Sequence, residues 1–186
     1  MFEASCRAEA MGLVEPDVLT SGDVKAVRRI ARHVRKAGIG AAAAVALNDV
    51  ETPTDAELAA LLQTMIAALE ASPVPRFEWS GVARVLDDGQ LASLLSVSIS
   101  SLKRYQSGAR ATPDAIAARL HFLALVVGDL AGSYNDVGIR RWFTRSRTQL
   151  DGRSPAQLLT REWDPEDAGP ARVRQLARGL VSLSAT

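Results

Sequence analysis

No stretch of this sequence alternates apolar and polar residues with a period of two over more than a few positions. Apolar residues recur instead at intervals of three and four. That spacing covers one face of an α-helix and leaves a strand with no coherent apolar face. Composition points the same way. Aromatic residues are only 5% of the chain, and the abundance of Ala, Leu and Arg favours helix over strand. The expected fold is therefore all-α. With 186 residues, 47% of them hydrophobic, the chain can bury a sizeable core. A charged fraction of 23% belongs to a globular chain and not to a disordered one.

Several function classes lose their footing at once. The single cysteine, Cys6, excludes an intramolecular disulfide framework and a Cys-based zinc site, and is expected on a flexible terminus in a reducing compartment. His33 and His121 lie far apart in the sequence, so neither a metal nor a cofactor is expected. Neither histidine has a Ser or Cys nucleophile in a triad-like context, and Asp87-Asp88 reads as an inter-helix turn with a cap, not a carboxylate pair. Gly38-Ile-Gly40 follows a helix where a nucleotide fold wants a strand. The chain is not expected to be an enzyme. Its N-terminus carries Glu3, Glu9, Glu15 and Asp17 in place of a secretory pattern. The longest apolar run, 38–47, falls far short of the roughly 20 residues of a membrane span. A soluble, cytoplasmic protein without membrane contact is the expectation.

Along the chain, residues 1–17 show no clear period and read as a loose arm. Ser21 can cap a helix over 23–37, ended by Gly38. Val24, Val27, Ile30, Ala31 and Val34 share one face of it, and Lys25, Arg28, Arg29, Arg32, Arg35 and Lys36 occupy the rest. This basic stripe reads as a solvated face; phosphates, a membrane surface or an acidic partner are its other readings, and it is the best candidate for extra DNA affinity. Residues 38–48 form an Ala-rich, short buried helix. Thr54 and Glu57 make a capping box ahead of Leu58, Leu61, Leu62, Met65, Ile66 and Leu69. Ser72-Pro73-Val74-Pro75 ends that helix and marks the main boundary. This divides the chain into an N-terminal helical extension (1–74), a middle domain (75–130) and a C-terminal domain (131–186).

Beyond the boundary, Phe77, Val82, Val85 and Leu86 mark one short helix. Thr112-Pro113-Asp114 signals the start of a longer one, with Thr112 as the capping hydroxyl. Its apolar residues Ile116, Leu120, Leu123, Val127 and Leu130 are joined by Phe122, Leu125 and Val126 on a second face. Such a helix must be covered, either by other helices or by a second copy.

The segment 90–105, Gln-Leu-Ala-Ser-Leu-Leu-Ser-Val-Ser-Ile-Ser-Ser-Leu-Lys-Arg-Tyr, is the most informative. Leu91, Leu95, Val97, Leu102 and Tyr105 supply the facing apolar sides of two short helices, and Ala92 stands where their backbones approach. Ser98 caps the second helix. Its outward residues Ile99, Ser100, Ser101, Lys103 and Arg104, with Arg110 just beyond, are groups that can meet base edges and phosphates in a major groove. The whole chain has a net charge of +1, yet between Ser98 and Leu120 the cations Lys103, Arg104, Arg110 and Arg119 face Asp114 alone. The segment resembles the Xre/Cro-type helix-turn-helix at nearly every framework position. Ser96 stands where that family usually has glycine, at a left-handed turn residue costing Ser on the order of 1 kcal/mol.

A second pattern follows in 138–159. Ile139, Trp142 and Phe143 form the apolar side of a short helix, Leu150 is an anchor, Asp151-Gly152 permits a tight turn, and Ser154-Pro155 starts a helix whose Leu158 and Leu159 pack back. Trp142, Phe143, Leu150, Gly152, Pro155 and Leu158 thus read as the core of a small module. The sequence Arg-Arg-Trp-Phe followed by Leu-x-Gly-Arg-x-Pro-x-x-Leu-Leu resembles the toxin-binding domain of Xre/MbcA/ParS-type antitoxins, which directly follows an Xre-like helix-turn-helix. The family's usual glycine pair is reduced here to Asp151-Gly152, and the first 75 residues lie outside the resemblance. The resemblance implies a homodimeric type II antitoxin that represses its own operon and neutralises a RES-domain toxin, an enzyme that destroys cytosolic NAD. It also implies that the C-terminal end, Ser182, Leu183, Ser184, Ala185 and Thr186, blocks the toxin's active site, behind a helix bearing Arg172, Arg174 and Arg178. Trp163, beside the polar run Asp164-Pro165-Glu166-Asp167, reads either as an interface anchor for that toxin or as the cover of a core edge. A stand-alone dimeric helix-turn-helix regulator without a toxin partner is the alternative reading.

Overall fold

The computed structural model describes residues 2–15, 24–49 and 52–183. Among these residues the chain is all-α, with no strand. Its helices are α1 (Phe2–Ala10), α2 (Val24–Lys36), α3 (Ala41–Asp49), α4 (Asp55–Glu70), α5 (Pro75–Val85), α6 (Asp88–Leu95), α7 (Ile99–Gln106), α8 (Asp114–Ala131), α9 (Asp136–Thr144), α10 (Pro155–Leu158) and α11 (Ala168–Leu183), with a 3-10 turn at Thr148–Leu150 before α10. No single described helix is long and apolar enough to cross a membrane.

The axis of the fold is α8. Every residue from 119 to 130 is buried, because α1, α5 and α11 pack around the helix. The two apolar faces legible in its sequence are therefore covered by the chain's own helices. Its start differs from the expected one. Pro113 is the capping residue, and Thr112 Oγ1 instead accepts the indole N–H of Trp79 at 2.9 Å, tying the α8 entry to α5.

Residues 2–15 correct the expectation of a loose arm. Helix α1 buries Ala4, Ser5, Cys6, Arg7, Ala8 and Ala10, and Met11, Leu13 and Val14 continue into the core. The small side chains let α1 lie close to its neighbours. A Cβ on Gly128 of α8 would come within 3.0 Å of the Arg7 backbone, and one on Gly81 of α5 within 2.2 Å of the Ala10 carbonyl. Two mid-helix glycines, each a cost to helix propensity, are the seats on which α1 rests. Cys6 is accordingly not on a flexible terminus: burial pushes its thiol pKa up to about 11, with Glu9 adding to the effect.

Helix α2 hides Val27, Ile30, Ala31 and Val34 completely or nearly so. Each large aliphatic buried contributes about 1.5–3 kcal/mol. This outweighs the 0.2–0.5 kcal/mol cost of each like-charge pair at i,i+3 or i,i+4 along its basic side. Helix α4 opens with the expected capping box: Thr54 accepts from Glu57 N at 3.3 Å and its own N–H donates to Glu57 Oε2 at 2.9 Å. The chain turns at Ser72–Val74, but the apolar core runs on across that turn, with Leu69 and Trp79 in the same cluster.

Candidate functional site

The pair α6–α7 is built from caps. Asp87 Oδ1 accepts from Gln90 N at 2.9 Å to open α6, and Ser98 Oγ accepts from Ser101 N at 3.1 Å to open α7. Between them Ser96 is left-handed (φ 56°, ψ 44°), which reverses the chain. Its hydroxyl donates to the Arg161 carbonyl at 2.5 Å, offsetting part of the conformational cost. Leu91, Ala92, Leu95, Leu102 and Tyr105 are buried between the helices and the core, and Tyr105 stacks on Trp79 at 6.0 Å. On the other side of α7, Ile99 (54% exposed), Ser100, Lys103 and Arg104 face solvent. Ser98 is exposed and Ser101 half-buried, their hydroxyls 3.1 Å apart. Arg110 is exposed and its guanidinium lies over the Tyr105 ring at 5.6 Å, while its N–H donates to the Arg104 carbonyl. The seven residues thus form one polar, cationic surface around α7.

That surface meets an acid from outside the 98–120 segment, which the local charge count did not include. Lys103 Nζ donates to Asp88 Oδ2, and Gln106 Nε2 reaches Asp88 Oδ1 at 3.3 Å. The Lys103 hydrogen bond, followed by that from Gln106, holds the Asp88 carboxyl below its ordinary pKa. Only Asp87 of the aspartate pair is a cap.

In the C-terminal unit, Ile139, Trp142, Phe143, Leu150, Pro155 and Leu159 are buried and Leu158 is half-buried. The Trp142 and Phe143 rings meet edge to face at 5.3 Å, and the Arg147 guanidinium lies 5.4 Å from the Trp142 centroid. Asp151 and Gly152 both have positive φ (56° and 76°), making the turn, with Gly152 exposed. Ser154 and Gln157 form a capping box at the start of α10. Asp151 also accepts from Arg172 of α11 at 2.8 Å, and this bond lowers the aspartate pKa and raises that of the arginine.

Two residues assigned to toxin contact are engaged inside the fold. Trp163 is only 4% exposed. Its indole N–H donates to the Leu94 carbonyl at 2.8 Å, its ring meets Phe122 edge to face at 5.1 Å, and its carbonyl accepts from Arg119 Nε at 2.6 Å. It fastens the 160–167 segment to α6 and α8 instead of standing out as an anchor. Arg174 Nε donates to Asp129 Oδ2 at 2.6 Å and Nη2 to Glu70 Oε1 at 3.2 Å. Its burial lowers the guanidinium pKa, against the pull of Asp129. Arg178, half exposed, pairs with the same Glu70 oxygen at 2.5 Å. Ser182 and Leu183 close α11; Ser184, Ala185 and Thr186 lie outside the described residues.

Sequence reasoning missed the acidic partners of these arginines. Arg7 of α1 reaches Asp129 Oδ1 at 3.2 Å and Glu3 at 2.7 Å, and lies 2.6 Å from Glu70. Three arginines and three acids thus balance across α1, α4, α8 and α11. Nearby, His121 Nδ1 sits 2.6 Å from Glu78 Oε1 and its Nε2 is 2.9 Å from the Glu70 carbonyl. A cavity of about 600 Å³ opens beside this network, lined by Glu70, His121, Phe122, Glu166, Arg174 and Arg178 among others. The signal available in the sequence was Asp129, a lone acid in an otherwise apolar run.

No family model, curated protein or solved structure matches this chain. The class it defines rests on its own architecture. It is an all-α protein in which a cation-bearing helix pair and a Trp-centred C-terminal unit flank one buried helix.

Proposed function

We propose that the chain is the antitoxin of a type II toxin–antitoxin system. In this reading it binds operator DNA through α7, represses its own operon, and neutralises a RES-domain, NAD-degrading toxin in the cytoplasm through its C-terminal unit. The observation that carries the DNA half is the two-sidedness of α7. Leu102 and Tyr105 are buried while Ile99, Ser100, Lys103 and Arg104 face solvent, and Ser98 caps the helix so that its first turn points outward. Arg104 suits a guanine edge or a phosphate, the serines suit base edges or phosphates, and Ile99 suits a thymine methyl. Arg110, stacked on Tyr105, suits a flanking phosphate. A homodimer would present two such helices to half-sites about 34 Å apart. Because α8 is covered by its own chain, the two copies meet on another surface.

The toxin half rests on the resemblance carried by Arg140-Arg141-Trp142-Phe143 and by residues 150–159. Since Trp163 and Arg174 are engaged within the fold, contact with the toxin falls to Arg178 and to Ser182, Leu183, Ser184, Ala185 and Thr186.

Replacing Lys103 and Arg104 together with Ala tests the DNA half. The preference for the DNA upstream of the protein's own reading frame over a duplex of arbitrary sequence should be lost, and the slope of log affinity against log salt should flatten by about 0.9 per phosphate contact removed. Toxin neutralisation should persist. Unchanged operator affinity in this double variant rejects the assignment.

A further inference from the structure

The basic stripe of α2 lies outside the resemblance and takes no part in the function proposed above, yet it concentrates more positive charge than any other described helix of the chain. The helix Val24–Lys36 contains six Lys or Arg and no acid. The whole chain has 22 cations and 21 anions, a net +1, so everything outside α2 sums to −5. Lys25, Arg29, Arg32, Arg35 and Lys36 are exposed, and among the described residues none of these five forms an ion pair. The adjoining helix α3 offers Ala41, Ala42 and Val45 to solvent, and its one charged residue, Asp49, stands at its last position. A surface that only needs hydration intersperses both signs; this one concentrates a single sign along one rod.

We propose that α2 is a second nucleic-acid surface that grips the phosphate backbone of a duplex without reading its sequence. From Lys25 to Lys36 the stripe runs about 16 Å at 1.5 Å per residue. At about 3.4 Å per phosphate along one strand, it is long enough to face roughly five of them. Two features of the fold choose this partner over others. The apolar side of α2, Val27, Ile30, Ala31 and Val34, is 0–1% exposed, so the helix has no face left to sink into a bilayer as an interfacial helix must. It also carries no Phe, Tyr or Trp, and its one imidazole, His33, is half-buried with Nδ1 2.9 Å from the Arg29 carbonyl, so the broad platforms on which unpaired bases stack are missing from it. Point charges on long side chains are suited to phosphates and carry no base readout.

The test is fluorescence anisotropy of the full chain with a 20-base-pair duplex of arbitrary sequence over a salt series. Two variants are compared with the unaltered protein: Lys25→Gln/Arg29→Gln/Arg32→Gln/Arg35→Gln, and Lys103→Ala/Arg104→Ala. Far-UV circular dichroism checks that each retains its helices. The α2 variant should lose at least tenfold in duplex affinity, with the log–log salt slope flattened by up to about 3.6, or 0.9 for each contact removed. The α7 variant should keep most of that slope, so failure here is distinguishable from failure of the operator assignment. Replacing the same three arginines with Lys should retain the binding, because charge suffices. An α2 variant with unaltered slope overturns the proposal. So does an α7 variant whose slope is flat although α2 is intact. Tighter binding to phosphatidylserine vesicles or to single-stranded DNA than to the duplex overturns it equally.

Discussion

The guanidinium of Arg7 donates to the carboxylate of Asp129 at 3.2 Å across 122 positions of sequence, with both side chains out of solvent. Asp129 uses its other oxygen for Arg174 at 2.6 Å, so one buried acid joins α1 and α11 through α8. Removing one partner from such a group leaves charge without compensation. Arg7→Ala is expected to destabilise the protein by about 3 kcal/mol, at the low end for a broken buried pair because Arg174 remains. Thermal unfolding should fall by roughly 6–12 °C for a chain of this size. Arg7→Ala/Asp129→Ala should cost less than the sum of the single changes, since each alone strands the other. A strictly additive pair would mean that the contact does not form.

Cys6 reports on the docking of α1. Its thiol is 6% exposed and its pKa is raised to about 11, chiefly by burial. At pH 8 it should resist iodoacetamide in the folded protein and react fully in denaturant. Gly128→Ala, which thrusts a Cβ against Arg7, should accelerate the labelling. Rapid alkylation of the unaltered native protein would show α1 detached.

Ser96 separates strain from hydrogen bonding. Ser96→Ala keeps the left-handed backbone and loses the bond to Arg161, so it should cost about 1 kcal/mol. Ser96→Gly loses the same bond but relieves a strain of about the same size, leaving stability within about 0.5 kcal/mol. The two midpoints in urea decide the matter; equal losses would mean the turn is unstrained.

Asp88 holds Lys103, and under the proposed operator binding it competes with DNA for that lysine. Asp88→Asn should raise operator affinity roughly twofold to fivefold, the modest gain expected when an exposed, competing ion pair is removed. Because its folded pKa is depressed, the pair's contribution is complete above the ordinary aspartate value and is lost as pH falls through the lowered one. Acidification should therefore free Lys103 in the unaltered protein but change nothing at this site in the variant. Operator affinity that is the same or weaker in the variant contradicts the Lys103 assignment.

Much of the fold is legible in the residues because caps and helical spacing agree. Thr54 with Glu57, Ser98, and Ser154 with Pro155 each open the helix their chemistry demands. Helix α1 is illegible for a physical reason: it is buried through Ala, Ser, Cys and an arginine, so no apolar period marks it. The signals for its seat, Gly81 and Gly128, sit inside other helices. The turn at Pro73 ends α4 as read, but a chain reversal does not divide a core that continues from Leu69 to Trp79. Of the two readings open for Trp163 the cover of a core edge is the one found, and neither it nor the burial of Arg174 could be decided from sequence because their partners, Leu94, Phe122 and Asp129, are remote in sequence. The polar side of α7 was legible, and the acid that faces it was not, since Asp88 lies a helix away.

The central claim, the proposed antitoxin role, is tested most directly by the NAD content of cells that express a RES-domain toxin, should one be encoded beside this chain, with and without the chain. The unaltered chain should preserve NAD and co-purify with the enzyme. A version ending at Leu180, cut short of the tail but retaining the core residues Val173 and Ala177, should fold and let NAD collapse. Preserved NAD with the shortened chain would contradict the blocking role of the tail, and NAD loss with the full chain would contradict the antitoxin assignment itself.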